Sequence, residues 1–401
     1  MPGISKSIDA FRESPTRRID AIRERLKRER RDVIVLSAGQ PSVPPPRDVR
    51  MALGEELLGD DMELFAYTPS QGRRELREAI SDDLRRTGGV EVDPDDLTVT
   101  AGGQEAMFAT FMTILNPGDE VILMDPTYFG YKPILEYFGA RIVRVGLDMD
   151  DGFKLDVEAL KEKVGPRTKA VVLVSPDNPT GSVIGVNEVK AVADLAVDRD
   201  FWIVSDEAYR MLIYEGSHAY PYTYAPDRVI SINTFSKDPG MPGWRLGFVY
   251  GPRELIGRIK LAGEEMTYCP PSISQRLALL YLRSREREAH VRRVVEEYRA
   301  RRDALMQAIK RFLPEAKFQV PHGSMFVFMD LGKYIDDGDS FAEHALEKHG
   351  VAVVPGSYFS DRYKQAVRAS FVWEPAHRLE EGARRLGEAA ASWKGNPGRR
   401  E

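Results

Sequence analysis

The middle of the chain alternates short apolar runs, rich in Val and Ile, with amphipathic stretches of helical spacing, the pattern of a mainly parallel, helix-covered sheet. Runs at 97–101, 120–124, 169–174, 201–205, 229–233 and 244–250 predict its strands. From 272 to 312, Leu277, Leu280, Val291, Val295, Tyr298, Leu305 and Ile309 recur at helical spacing amid dense charge, which predicts one long connecting helix or two. Beyond it, 325–329, 351–354 and 367–371 are short strand candidates among helices, joined from the N-terminal side by 34–36. The expected fold class is α/β: a large domain over 50–295 with a mainly parallel, helix-covered sheet, and a smaller α+β domain from 1–49 and 296–401. A chain of 401 residues is long enough for two such units, so a cleft between them is the place to look for a ligand.

Charge narrows the partners. Lys and Arg total 57 against 62 for Asp and Glu, so no net positive field attracts nucleic acid or an anionic membrane, and small molecules are the expected partners. The single Cys269, followed by Pro270 and Pro271, offers neither an internal disulfide nor a thiolate metal site, so no metal is expected and a reducing cytoplasm fits. The N-terminal MPGISKSIDAFRESPTRR lacks an apolar leader core, and no stretch approaches the roughly 18 apolar residues of a membrane span, so the chain reads as soluble and unprocessed. No internal repeat is visible, and the polar tail 394–401 is expected to fray.

In an open α/β sheet, ligands bind beyond the carboxyl ends of the strands, so the residues that follow each run matter most. After 97–101 come Gly102-Gly103-Gln104 and a helical run starting near Glu105, where glycines let backbone N–H groups wrap a phosphate; alone, the same residues read as a tight turn. No G-x-G-x-x-G follows a strand and no G-x-x-x-x-G-K-[ST] occurs, which ranks nucleotide cofactors low. After 169–174 comes the turn-rich Ser175-Pro176-Asp177-Asn178-Pro179-Thr180-Gly181. After 201–205 comes Asp206-Glu207-Ala208-Tyr209, in which Asp206 reads equally as a cleft acid or a helix cap. After 229–233 comes Thr234-Phe235-Ser236-Lys237, then Asp238-Pro239 and, further on, Arg245; hydroxyls and a guanidinium around a lysine suggest an anion site beside an amine.

The segment T-F-S-K-x7-R resembles the cofactor-lysine motif of the class I/II pyridoxal-phosphate aminotransferases, the aspartate aminotransferase-like group. D-N-P-T-G and S-D-E-A-Y lie upstream in the family's order, and the likeness runs from L-S-A-G-Q-P at Leu36 through Y-T-P-S-Q-G at Tyr67 and P-T-Y at Pro126. It continues to H-G-S-M-F at His322, V-V-P-G at Val353 and V-R-A-S-F at Val367.

The resemblance implies pyridoxal 5'-phosphate as cofactor, a large domain of the pyridoxal-phosphate transferase type, and ping-pong transfer of an amino group between an L-amino acid and a 2-oxo acid. Lys237 is implied as the residue that forms a Schiff base with the cofactor and then moves a proton at the substrate Cα, a role that needs a neutral amine; Arg245 nearby is expected to favour that form. Asp206 is implied to keep the pyridine nitrogen protonated, Tyr209 and Asn178 to hydrogen-bond the phenolic oxygen, and Tyr128 to stack on the ring. The phosphate falls to Gly102, Gly103, Gln104, Thr234, Ser236 and Arg245, and the substrate carboxylate to Arg368, Gly39 and Asn178. Tyr67 matches a tyrosine that reaches the phosphate in the neighbouring subunit, which implies a homodimer with shared active sites. Two departures stand out: Asp238-Pro239 replaces a small polar residue plus an aromatic, and neutral Gln104 stands where members acting on acidic substrates can carry a lysine. A carbon–sulfur β-lyase on the same fold would keep Lys237, Asp206 and Arg368. A non-catalytic amino-acid sensor is opposed by the intact Lys237 and by the lack of an appended DNA-binding domain.

Overall fold

A seven-stranded sheet carries the middle of the chain, in the spatial order Leu97–Thr100, Gly247–Tyr250, Val229–Thr234, Trp202–Asp206, Thr168–Val174, Glu120–Asp125, Arg141–Gly146. The computed structural model describes residues 5–11 and 16–395, so the tail expected to fray lies, from residue 396 on, outside the described residues. All strands run the same way except Gly247–Tyr250, which is antiparallel to both neighbours. Central strands of such a sheet are covered on both faces, and Glu120–Asp125 is accordingly buried at every position.

Most strand ends fall within a residue or so of the sequence reading; the larger differences are a late start, a missed edge strand, and the expected strand 351–354, which splits at Val353 into two strands of separate sheets. Trp244 belongs to a short 3-10 turn, Pro242–Trp244, and its strand starts at Gly247. The strand Arg141–Gly146, which the apolar-run criterion passes over, is the sheet edge; Arg141 is exposed and Arg144 half-buried, so the continuous apolar signature of a central strand is missing.

The segment 272–312 forms two helices, Ser272–Arg283 and Arg287–Phe312, broken where Ser284 turns extended. The second packs along Ala376–Ser392. These cover a four-stranded antiparallel sheet, ordered Val354–Pro355, Ala366–Ser370, Phe326–Asp330, Lys317–Phe318, and beside it Ile34–Val35 pairs in parallel with Val351–Ala352. The two-residue strand at 317–318 has no counterpart in the apolar pattern. One apolar cluster joins Ile34 and Leu36 to Val327, Val367 and Leu379, so the N-terminal segment is built into the smaller sheet's core. Among the described residues no helix is long and apolar enough to cross a membrane.

Candidate active site

The carboxyl ends of the parallel strands and the N-terminal segment enclose a cavity of about 850 Å³. Its lining includes Gly39, Gly103, Gln104, Tyr128, Asn178, Asp206, Tyr209, Thr234, Ser236, Lys237, Arg245 and Arg368, twelve of the residues singled out from sequence. Arg245 is there because its strand runs backwards. Gly247 pairs with Thr100 on one side and Thr234 on the other, so the chain just before it sits beside its neighbours' carboxyl ends.

At the phosphate end, the helix Gly103–Ile114 starts at the cavity wall with no side chain capping it, leaving its first-turn N–H groups free to face an anion. Gly102 does not line the cavity but lies beneath Arg245. Its φ is +93°, a backbone conformation that favours glycine, and a Cβ there would stand 2.6 Å from the guanidinium and push that side chain aside. Thr234 Oγ1 lies 3.0 Å from Ser236 Oγ and accepts the Ser236 N–H at 3.1 Å, which ties together two hydroxyl residues of the cavity wall.

The lysine amine donates to the Gly39 carbonyl at 2.6 Å and stands 5.6 Å from the centre of the Tyr209 ring. Burial first, then the positive charge of Arg368, lower its pKa to about 8; Asp206 opposes the shift and Arg245 adds to it last. The expectation that Arg245 favours the neutral amine thus has the right direction, but desolvation and Arg368 outrank it. Gly39, expected at the substrate carboxylate, meets Lys237 through its carbonyl.

Arg368, 4 % exposed, donates to Asn178 Oδ1 at 2.9 Å and lies 3.9 Å over the Phe326 ring; its Nε is buried without a partner among the described residues. Burial lowers its pKa to about 10. A guanidinium held over an aromatic ring with a donor unspent is poised for a planar anion. Asp206 Oδ1 accepts the Ala208 N–H at 3.1 Å, and Oδ2 accepts from Tyr131 Oη, a partner that no motif announced. Tyr67 stands apart: it is 83 % exposed, outside the cavity, with its ring edge-on to Tyr268 at 5.0 Å.

Behind the cavity lies a second layer that sequence also left unannounced. Asp83 Oδ2 accepts from Arg210 and from Arg287, both at 2.8 Å, while Tyr281 donates to Asp238 at 2.6 Å and Arg287 lies 3.8 Å from the same carboxylate. Arg210 follows Tyr209 and Asp238 follows Lys237, so one acid on the helix Arg74–Gly88 anchors both site loops. The unusual Asp238 therefore has a structural partner set.

Residues 31–386 match the family model described as aminotransferase class I and II. The chain belongs to the class I and II aminotransferases. This aminotransferase is 37 % identical over 361 residues to the aspartate/prephenate aminotransferase of Thermus thermophilus, covering 90 % of this chain and 92 % of the relative. It is 33 % identical to the arginine–pyruvate transaminase of Pseudomonas aeruginosa over 90 % of each chain. Among solved structures, Thermus thermophilus aspartate aminotransferase with maleate superposes at a TM-score of 0.92, with 36 % identity, 97 % of this chain and 100 % of that one. The aminotransferase fold of pyridoxal-phosphate enzymes, its amino-transfer activity and its pyridoxal-phosphate cofactor follow from that membership. When bound, pyridoxal phosphate supplies an aldehyde that takes up the amino group and a pyridine ring that accepts electrons from the substrate Cα.

Proposed function

We propose that Lys237 is the residue joined to pyridoxal phosphate and the group that carries the proton at the substrate Cα. The observation that supports this reading is the meeting, in one cavity, of a lysine whose pKa is lowered to about 8 with a buried acid, an uncapped helix start and a half-paired arginine. A neutral amine is both the nucleophile and the base the reaction needs.

The remaining roles are those the family resemblance implies. Asp206 holds the proton of the ring nitrogen; Tyr209 and the amide nitrogen of Asn178 donate to the ring oxygen; Tyr128 lies on the ring face. The backbone of Gly102 and Gly103, with Gln104, Thr234, Ser236 and Arg245, takes the phosphate. Arg368 forks the substrate carboxylate, with Asn178 Oδ1 fixing its angle and Gly39 closing from the N-terminal segment. The chemistry is ping-pong: an amino acid leaves its nitrogen and departs as an oxo acid, and a second oxo acid collects it.

The test is to mix the cofactor-loaded protein with single amino acids, without an oxo acid, and follow visible absorption and oxo acid release. Absorption is expected to change stoichiometrically and to return on adding 2-oxoglutarate. Catalytic accumulation of oxo acid without an acceptor would favour a β-lyase, and protein that takes up no cofactor would overturn the Lys237 reading.

We further propose a cytoplasmic homodimer in which Tyr67 reaches the phosphate in the partner subunit's site. Supporting this, Leu58, Met62, Phe65, Tyr67 and Tyr268 are all large side chains left exposed. Sedimentation is expected to give a dimer, and Tyr67→Phe to weaken cofactor retention by about 5- to 10-fold; a fully active monomer would sink the idea. The division into a large domain, 50–295, and a small domain, 1–49 with 296–401, is supported by the separate sheets.

A further inference from the structure

We propose that Tyr131 is a positioning residue that fixes the Asp206 carboxylate so that the proton it shares with the cofactor's ring nitrogen stays on the nitrogen. The inference rests on the role given to Asp206 above.

Tyr131 is fully buried, and its Oη donates to Asp206 Oδ2 while the Ala208 N–H holds Oδ1, so both carboxylate oxygens are tied. Its ring is wedged edge-on between Phe111, 6.5 Å away, and Tyr128, 5.8 Å away, which leaves the hydroxyl little choice of direction. The loop after the strand Glu120–Asp125 carries Tyr128 and, three residues on at the start of the helix Tyr131–Tyr137, Tyr131. One turn of chain thus serves both the face of the ring and the acid at its nitrogen.

The electrostatics give the hydrogen bond its purpose. Burial alone pushes the Asp206 acid upward, towards its neutral form, and the hydroxyl of Tyr131, then the Ala208 N–H and Lys237, work against it. A carboxylate that already accepts a strong hydrogen bond is a weaker base. Facing a ring nitrogen, the weaker base leaves the proton where it makes the ring an electron acceptor. Tyrosine suits this role because burial and the adjacent Asp206 charge push its phenol well above the ordinary range, so it remains a donor at every working pH.

The test uses holoenzyme loaded with cofactor labelled with 15N at the pyridine position. In the wild-type protein the nitrogen signal is expected at the protonated shift. Tyr131→Phe is expected to move it towards the unprotonated shift, with kcat down about 10- to 100-fold and KM for the amino acid within about three-fold. Tyr131→His keeps a donor and is expected to retain the protonated signal; it carries the test should the phenylalanine variant not fold. An unchanged nitrogen signal in Tyr131→Phe, or a lost one in Tyr131→His, overturns the proposal. An unprotonated nitrogen in the wild-type protein overturns instead the reading of Asp206 on which it stands.

Discussion

Lys237→Ala is expected to lower kcat by at least about ten-thousand-fold, because it removes the covalent anchor and the proton carrier together. Borohydride reduction followed by mass spectrometry checks the cause. Wild-type protein should retain the cofactor mass on the peptide containing Lys237, and the variant should not. The pH dependence has a definite sign. With its pKa lowered to about 8 by burial and by Arg368, the free amine is protonated at low pH and gains reactivity as pH rises through about 8, then levels. At pH 7 roughly one such amine in ten is neutral, against roughly one in 2,500 for a lysine of ordinary pKa. The rate at which cofactor-stripped protein is acylated at Lys237, followed against pH, reads this midpoint. A midpoint near 10 would overturn the lowered pKa, and a variant within ten-fold of wild-type turnover would remove Lys237 from the mechanism.

The second large effect falls on Asp206. Asp206→Ala should leave the fold and the Lys237 attachment intact yet lower kcat about 100- to 1,000-fold, the scale of losing one preorganised electrostatic partner. The fold is expected to survive because the carboxylate sits at a strand end facing the cavity, and its removal leaves only the hydroxyl of Tyr131 and one backbone N–H unpaired. Reduction and mass spectrometry report attachment, and stopped-flow absorption reports the half-reaction with amino acid alone. A variant that reacts at wild-type speed would show that the ring nitrogen needs no acid here.

Much of this site was legible because chemistry in an α/β sheet collects at strand ends. Asp206, Asn178, Thr234 and Lys237 each follow an apolar run, and that placement needs only the runs. Arg368 and Gly39 were legible through the family resemblance, since nothing in a short strand or an isolated glycine marks a substrate site. What stayed hidden depends on tertiary contact. Tyr131 looks like any aromatic at a helix start until its hydroxyl is seen on Asp206. Asp83 reads as one more acid in a helix, and Asp238 as an irregular substitution, until Arg287 brings them together. The strand Arg141–Gly146 was missed for a different reason: an edge strand has a solvated side, so its arginines blur the apolar run.

The Asp83 cluster also bears on how this chain can change over time. Two buried guanidiniums share one carboxylate oxygen, so a lone substitution of Asp83 leaves Arg210 with neutral partners only and Arg287 with the more distant Asp238, at a cost of about 3–5 kcal/mol. That is a large part of the roughly 5–15 kcal/mol that holds a domain folded. Replacing the whole cluster with apolar residues can be neutral, but the route there passes through single steps that are not. Helix Arg74–Gly88, none of whose residues line the cavity, is therefore held in place by its partners, and Asp83 is expected to drift only together with Arg210 and Arg287.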